Sequence, residues 1–213
     1  MNQHNYEFAF IDLMISLVAI FLVIMVISLS FKAQHHAVKT VDEIINHIKQ
    51  ELNKQSQLNL TGVTVDRVKG EPLSLAVNVN EYSLKFGFNS YELSQTNKIF
   101  LNKIMRTIVS VLYKYKDKIE FVRFEGHTDN VGGNKGMGNI ILSQNRALAV
   151  LNYSIESIFH DIQNYRLFLT QYASICGYGN LYPLKNDSIS RRVVIKITVR
   201  PQELANLFAK EST

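Results

Sequence analysis

The chain has 213 residues and a mass of 24.4 kDa, is 46% hydrophobic and 19% charged, and carries a formal charge of +5. That length holds one ordinary domain and a modest appendage and excludes a large multidomain enzyme, while 10 Gly and 3 Pro exclude a collagen-like or linker-dominated chain. A single cysteine, Cys176, excludes an intrachain disulfide framework.

The near-zero mean hydropathy averages two unlike parts. Between Phe8 and Phe31 the only charge is Asp12, and Leu13 to Phe31 is uncharged throughout. Those 19 residues make about 28 Å of helix at 1.5 Å per residue, close to the thickness of a bilayer's hydrocarbon core. The spacing predicts a short N-terminus over 1–7 and one uncleaved transmembrane helix over 8–31. A cleaved signal peptide would need a basic start and a small-residue cleavage site, and neither is present. Lys32 and Lys39 follow the span and no basic side chain precedes it, so charge alone would put the C-terminus in the cytoplasm. Asp12 lies early in the apolar run. An ionised carboxylate facing lipid is costly, so it reads either as an ion-carrying group facing a partner or wet path, or as a helix-start acid reaching the headgroups. Ser16, one turn on, shares its face and reads as a neighbour on the same path or as a small packing residue.

Residues 32–60 form the next segment. Val38, Val41, Ile45, Ile48 and Leu52 recur at the a/d spacing of a coiled-coil seam. The same stripe fits a short parallel dimer helix, a gating plug, or an amphipathic helix lying on its own domain or on the membrane surface. The domain itself is expected over 61–200, followed by a tail over 201–213. Val63 to Phe86 reads as a hairpin turning at Gly70-Glu71-Pro72. Ser94 to Lys116 reads as a helix with Ile99, Ile104, Ile108, Val111 and Leu112 on one side. Ile119 to Glu125 is a strand, Arg146 to Arg166 one long helix, Tyr172 to Cys176 a strand, and Val193 to Val199 a last strand stopped by Pro201. Strands alternating with long helices give an α+β or α/β sandwich, helices packed on one mixed sheet. Scattered histidines and one cysteine show no ligand spacing, so no metal or other cofactor is expected. No nucleophile with a partnered base is visible, so the chain is not expected to be an enzyme.

Four pieces then follow in order: Phe86-Gly-Phe-Asn-Ser-Tyr-Glu-Leu93, Glu125-Gly-His-Thr-Asp129, Asn139-Ile-Ile-Leu-Ser-Gln-Asn-Arg-Ala147, and Gly177-Tyr-Gly179 through Pro183 to Ser190-Arg-Arg-Val193. Together, over about residues 73–200, they resemble the OmpA-like peptidoglycan-binding domain found at the C-terminus of MotB-type stator proteins. The resemblance implies that Asp129 takes the amine and Arg146 the carboxylate of a peptidoglycan peptide's diaminopimelate, that Asn139 hydrogen-bonds the peptide and that Thr128 orients the acid. Without that resemblance, Asp129 reads as a turn cap and Arg146 as the partner of a nearby acid. His127 fills a family position expected to orient its loop by hydrogen bonding. Gly126 and Gly132-Gly133 are expected to permit turns, Cys176 to be a small buried residue, and one of Arg191 and Arg192 to support the site. Three departures stand out: Ser190 replaces the usual Asn, the Asp129–Leu142 loop is longer by about two residues, and the Arg146–Gly177 connection is longer by about nine.

The resemblance also implies a bacterial inner-membrane protein, single-pass, with the N-terminus cytoplasmic and the domain periplasmic, which overrules the charge argument and makes nucleic acid an unexpected partner. A short N-terminus, a span with an early acid, a helical linker and this domain look like a MotB-type stator subunit. In that family two such helices, a homodimer, sit in a pentameric ring of a polytopic MotA-like partner, and the Asp carries a proton or Na⁺. The short layout is most similar to ZorB-type subunits of the Zorya anti-phage defence system, which work with a ZorA partner. A flagellar stator subunit and a structural membrane-to-wall tether are the alternatives.

Overall fold

A computed structural model describes residues 3–55, 60–129, 137–184 and 187–201. The long helix α1 spans Gln3–Asn53, and the chain divides into two compact units, one holding α1 as far as Val38 and the other running Lys39–Arg200. Between Leu13 and Phe31 α1 is uncharged and apolar on every side. Phe10, Leu13, Phe21 and Phe31 are more than 60% exposed, and no polar face interrupts the stretch to Phe31. A helix that is hydrophobic all round belongs in lipid or among other helices. α1 is also the one described helix long and apolar enough to cross a membrane. The Ser30 hydroxyl donates to the Val26 carbonyl at 2.9 Å, which satisfies it inside the helix.

The second unit begins with the end of α1. Val41, Ile44, Ile45, Ile48 and Leu52 are all buried, and Asp42 and Lys49 pair with Arg67 and Asp66 of strand β1 (Val63–Arg67). From Val41 to Leu52 the a/d stripe is thus a face docked on its own domain, one of the alternatives the spacing allowed, while Val38 at its start is half-buried and belongs to the first unit. Residues 56–59 lie outside the described set.

β1 and β2 (Ser74–Asn80) form the anticipated hairpin, with Gly70 at φ +81° in the turn. The strand stops at Asn80 rather than continuing to Phe86, because Ser83 and Leu84 donate back to the Asn80 carbonyl and turn the chain. Helix α2 (Gln95–Lys114) starts at Ser94, whose hydroxyl accepts from the Asn97 N–H at 3.2 Å. Its buried stripe holds Ile104, Ile108, Val111 and Leu112, but Ile99 is 54% exposed. Five residues before Ile104 is about 140° round the helix at 100° per residue, so Ile99 falls off the stripe.

β3 (Ile119–His127), α3 (Met137–Tyr153), α4 (Gln163–Tyr172) and β4 (Ala173–Gly177) make a parallel crossover. The single helix expected over Arg146 to Arg166 is therefore two. α3 begins earlier, runs into a π-helical turn at Ser154–Ile158, and ends where Arg106 caps the Ile158 carbonyl at 3.0 Å. The added length between Arg146 and Gly177 is absorbed in this turn and α4. After a one-turn helix α5 (Asp187–Ser190), β5 (Arg192–Val199) completes a mixed sheet of order β1-β2-β5-β3-β4, in which only β3 and β4 are parallel. Strand alternation puts Leu75, Val77, Val79, Val122, Phe124, Val193, Ile195 and Ile197 on the helix-covered face, all 3% exposed or less. The other face carries Asp66, Asn78, Arg123 and Lys196, so one layer of helices on one sheet is the architecture.

Candidate functional site

Two glycines set the site's geometry. Gly126 of β3 and Gly177 of β4 are register partners on the helix-facing side. A Cβ on Gly126 would stand 1.8 Å from the Ser143 carbonyl oxygen, and one on Gly177 would stand 2.4 Å from that of Ile140. α3 therefore lies directly on the strands, and Gly126 serves a close approach within the last residues of β3 rather than the turn its sequence suggests. The anticipated Gly132-Gly133 pair lies outside the described residues. Gly179, at φ +55°, completes the clamp: its carbonyl accepts from the Thr128 N–H at 2.7 Å and its N–H donates to the Ser143 hydroxyl at 2.9 Å. The end of β3 and the start of α3 are locked through one residue, with Asn139 against that residue's far side.

This frame brings Thr128, Asp129, Asn139 and Arg146 together, each 8% exposed or less. α3 buries Asn139, Ser143, Arg146, Ala147, Val150 and Leu151 on one stripe, so its N-terminal turns deliver polar groups to the site and its later turns fill the core. Arg146 makes no ion pair among the described residues, contrary to the bland alternative. Its Nε donates to the Ser90 carbonyl at 2.9 Å and a terminal nitrogen to that of Gly87 at 3.3 Å, while the Phe86 ring lies 5.1 Å from the guanidinium carbon. The 86–90 loop thus fixes the cation's plane and leaves further N–H donors for a ligand. Burial lowers the Arg146 pKa from its ordinary value, with Asp129 and Glu81 opposing and Arg191 reinforcing that shift.

Asp129 is held by Arg191, which also grips Glu81, with Nε donating to the Glu81 carboxylate at 2.6 Å. Burial opposes the Arg191 charge, but the hydrogen bonds it donates to Glu81 and Asp129 outweigh that and raise its pKa. Glu81 and this chain of three charges were not legible in the sequence. Successive strand positions point to opposite faces, so the doublet divides: Arg191 serves Asp129, and Arg192 stands across from His127. Ser190, in place of the family's Asn, closes its loop by accepting from the Leu184 N–H at 2.9 Å.

His127 departs from expectation. Neither ring nitrogen has a hydrogen-bond partner, and Glu125 is 3.9 Å away. Its ring is oriented by stacking on Tyr178, with centroids 5.3 Å apart at 18°. Cys176 is half-buried in β4. Among the described residues no cluster of three His, Cys, Asp or Glu is placed to hold a metal. On α1, Asp12 and Ser16 lie on one exposed face within the apolar stretch.

Residues 85–189 match the OmpA family, and the domain is OmpA-like. Zorya protein ZorB of Escherichia coli is 28% identical over 61% of this chain, and the match spans 59% of that protein's length. Among solved structures, a MotB-like protein from Desulfovibrio vulgaris aligns with a TM-score of 0.52 at 16% identity, covering 78% of this chain and 99% of that one. The periplasmic domain of Helicobacter pylori MotB aligns with a TM-score of 0.50 at 14% identity, covering 71% and 88%. At these identities the two structures bear on the fold alone.

Proposed function

We propose that the chain is the membrane-anchored, peptidoglycan-binding stator subunit of an ion-driven inner-membrane motor, with its N-terminus cytoplasmic and its domain periplasmic. The observation that carries the reading is the buried Asp129–Arg146 site at the end of β3, a carboxylate and a guanidinium fork fixed by the same frame. The free end of diaminopimelate presents an ammonium and a carboxylate on one carbon. Asp129 accepts from the ammonium, Arg146 donates to the carboxylate, and Asn139 and Thr128 supply neutral hydrogen bonds. Loss of peptidoglycan pull-down in Asp129→Ala and Arg146→Ala is the expected result, and full retention by both would refute the site.

Asp12 supports the motor half of the reading. It is the single charge between Phe10 and Phe31, on a helix with no polar face, and lies near the cytoplasmic end in the proposed orientation. In this reading it takes up and releases a proton, with Na⁺ as the alternative ion, inside a pentameric polytopic MotA-like or ZorA-like partner that surrounds two copies of α1. The similarity to ZorB favours a Zorya-type anti-phage context over a flagellar one. Asp12→Asn should abolish ion-dependent function while leaving expression and assembly with the partner intact. Unchanged activity would leave only a structural tether between membrane and wall.

A further inference from the structure

The Asp129–Arg146 site leaves one cation of its pocket unused. Arg192 opens β5 directly opposite His127 across the β3–β5 ladder, so their side chains share the sheet face away from α3. Among the described residues its guanidinium donates only to backbone carbonyls, of Ser190 at 3.2 Å and Tyr182 at 3.4 Å. Glu125 acts on it through space without an ion pair. Arg191, by contrast, is bonded to both Glu81 and Asp129. One arginine thus bonds both Glu81 and Asp129, while the guanidinium hydrogen bonds of Arg146 and Arg192 go to backbone carbonyls.

Beside Arg192 the buried polar groups are unsatisfied. His127 is 4% exposed with both nitrogens without a hydrogen-bond partner, and the nearest carboxylate, that of Glu125, stands 3.9 Å from its Nε2. Tyr178 stacks on the imidazole and Tyr182 meets it edge-on at 6.5 Å, so its nitrogens keep fixed directions. One pocket is lined by Phe86, Arg146 and Arg191 and also by His127 and Arg192.

We infer that the His127–Arg192 end of this pocket is a second anion subsite, which takes another carboxylate of the same peptide ligand. Arg192 supplies the charge and the fork, and His127 supplies an N–H donor beside it. The inference rests on the peptide-binding reading of Asp129 and Arg146. A stem peptide offers the second carboxylate from two sources, the α-carboxylate of its D-glutamate and its C-terminus.

The test measures binding of the synthetic peptide L-Ala–γ-D-Glu–meso-diaminopimelate–D-Ala to the full chain in detergent, beside its D-Glu α-amide and its C-terminal amide. One of the two amides should bind at least about tenfold more weakly than the parent, which identifies the carboxylate. Arg192→Gln should weaken the parent by the same factor and leave that amide's affinity unchanged, which also shows the pocket intact, and Arg192→Lys should recover part of the loss. Equal binding of all three peptides to the wild type, or an equal loss for all three in Arg192→Gln, would overturn the subsite. If the parent peptide binds, is lost in Asp129→Ala and is indifferent to amidation, the subsite fails while the peptide-binding reading stands. Failure of the parent to bind the wild type refutes both.

Discussion

Gly126→Ala tests how the site is built, because the added methyl meets backbone and not a movable side chain. Its Cβ would lie 1.8 Å from the Ser143 carbonyl oxygen and 2.5 Å from that carbonyl's carbon, whereas ordinary contact begins at 3.4 Å. α3 must retreat by about 1.6 Å or β3 must bow by the same amount. Overpacking in a filled interior costs about 1–3 kcal/mol, and the upper end applies where only backbone can yield. For a domain of this size about 3 kcal/mol lowers Tm by about 6–12 °C. The retreat also carries Arg146 away from the Ser90 carbonyl it meets at 2.9 Å, so peptidoglycan binding should fall at least about tenfold at temperatures where the domain is still folded. Thermal unfolding of the full chain in detergent, run beside a pull-down, reads both effects. Gly70→Ala is the control: its φ is +81° but nothing lies within 4 Å, so it should cost only about 1–2 kcal/mol and leave binding intact. A Gly126→Ala protein with wild-type Tm and wild-type binding would refute the claim that α3 rests on the strand.

Three further outcomes are expected. Arg191→Ala strands the Glu81 and Asp129 carboxylates, whose side chains are 17% and 7% exposed, without their shared cation. Breaking a buried pair costs about 3–5 kcal/mol, and the partial exposure of Arg191 reduces this to about 2 kcal/mol in urea unfolding; a change below about 0.5 kcal/mol would make the pairing superficial. Ile48→Ala, at a fully buried position, should cost about 2–4 kcal/mol with the wild-type dependence on protein concentration, whereas a dimer seam would make the loss concentration-dependent. Burial pushes the His127 pKa below its ordinary 6.5, with Glu125 opposing and Arg192 reinforcing the shift. As pH falls the unfolded chain takes the proton first, so the contribution is complete above about pH 6.5 and declines below it. His127→Gln should flatten the difference in urea midpoint between about pH 7.5 and 5.5, and an unchanged slope would exclude the residue as its source.

Local patterns were legible wherever one short segment determined the outcome. Alternation placed β1, β2, β3 and β5, and the stripe of α2 was readable apart from Ile99. Asp129 and Arg146 could be named because their motifs are compact in sequence. Glu81 could not be, since its partner Arg191 lies 110 residues away and nothing around a glutamate at a strand end marks it. Gly126 was misread for a related reason. A glycine after apolar and charged residues signals a turn by local rules, and only the position of α3 reveals that the missing Cβ is needed for contact. The break after α3 was hidden because Arg146 to Arg166 contains no Gly or Pro to mark it.

The docked end of α1 constrains how two copies of the chain could associate. Four residues of its a/d stripe, Val41, Ile45, Ile48 and Leu52, and the neighbouring Ile44 are already buried within the Lys39–Arg200 unit. Releasing them to form a seam with a second chain would expose side chains worth about 1.5–3 kcal/mol each, on the order of 10 kcal/mol in all, before any new contact formed. It would also open the Asp42–Arg67 and Lys49–Asp66 pairs. A two-heptad coiled coil is too short to recover that much after the entropy of association. With the domain folded as described, the proposed homodimer must therefore be held by surfaces other than this stripe. The apolar stretch of α1 has such surface in quantity, with large side chains from Phe10 to Ile27 half exposed or nearly so and no described residue covering them. In the proposed motor, the pairing of two chains would then belong to the apolar stretch of α1, while the stripe from Val41 to Leu52 stays with its own domain.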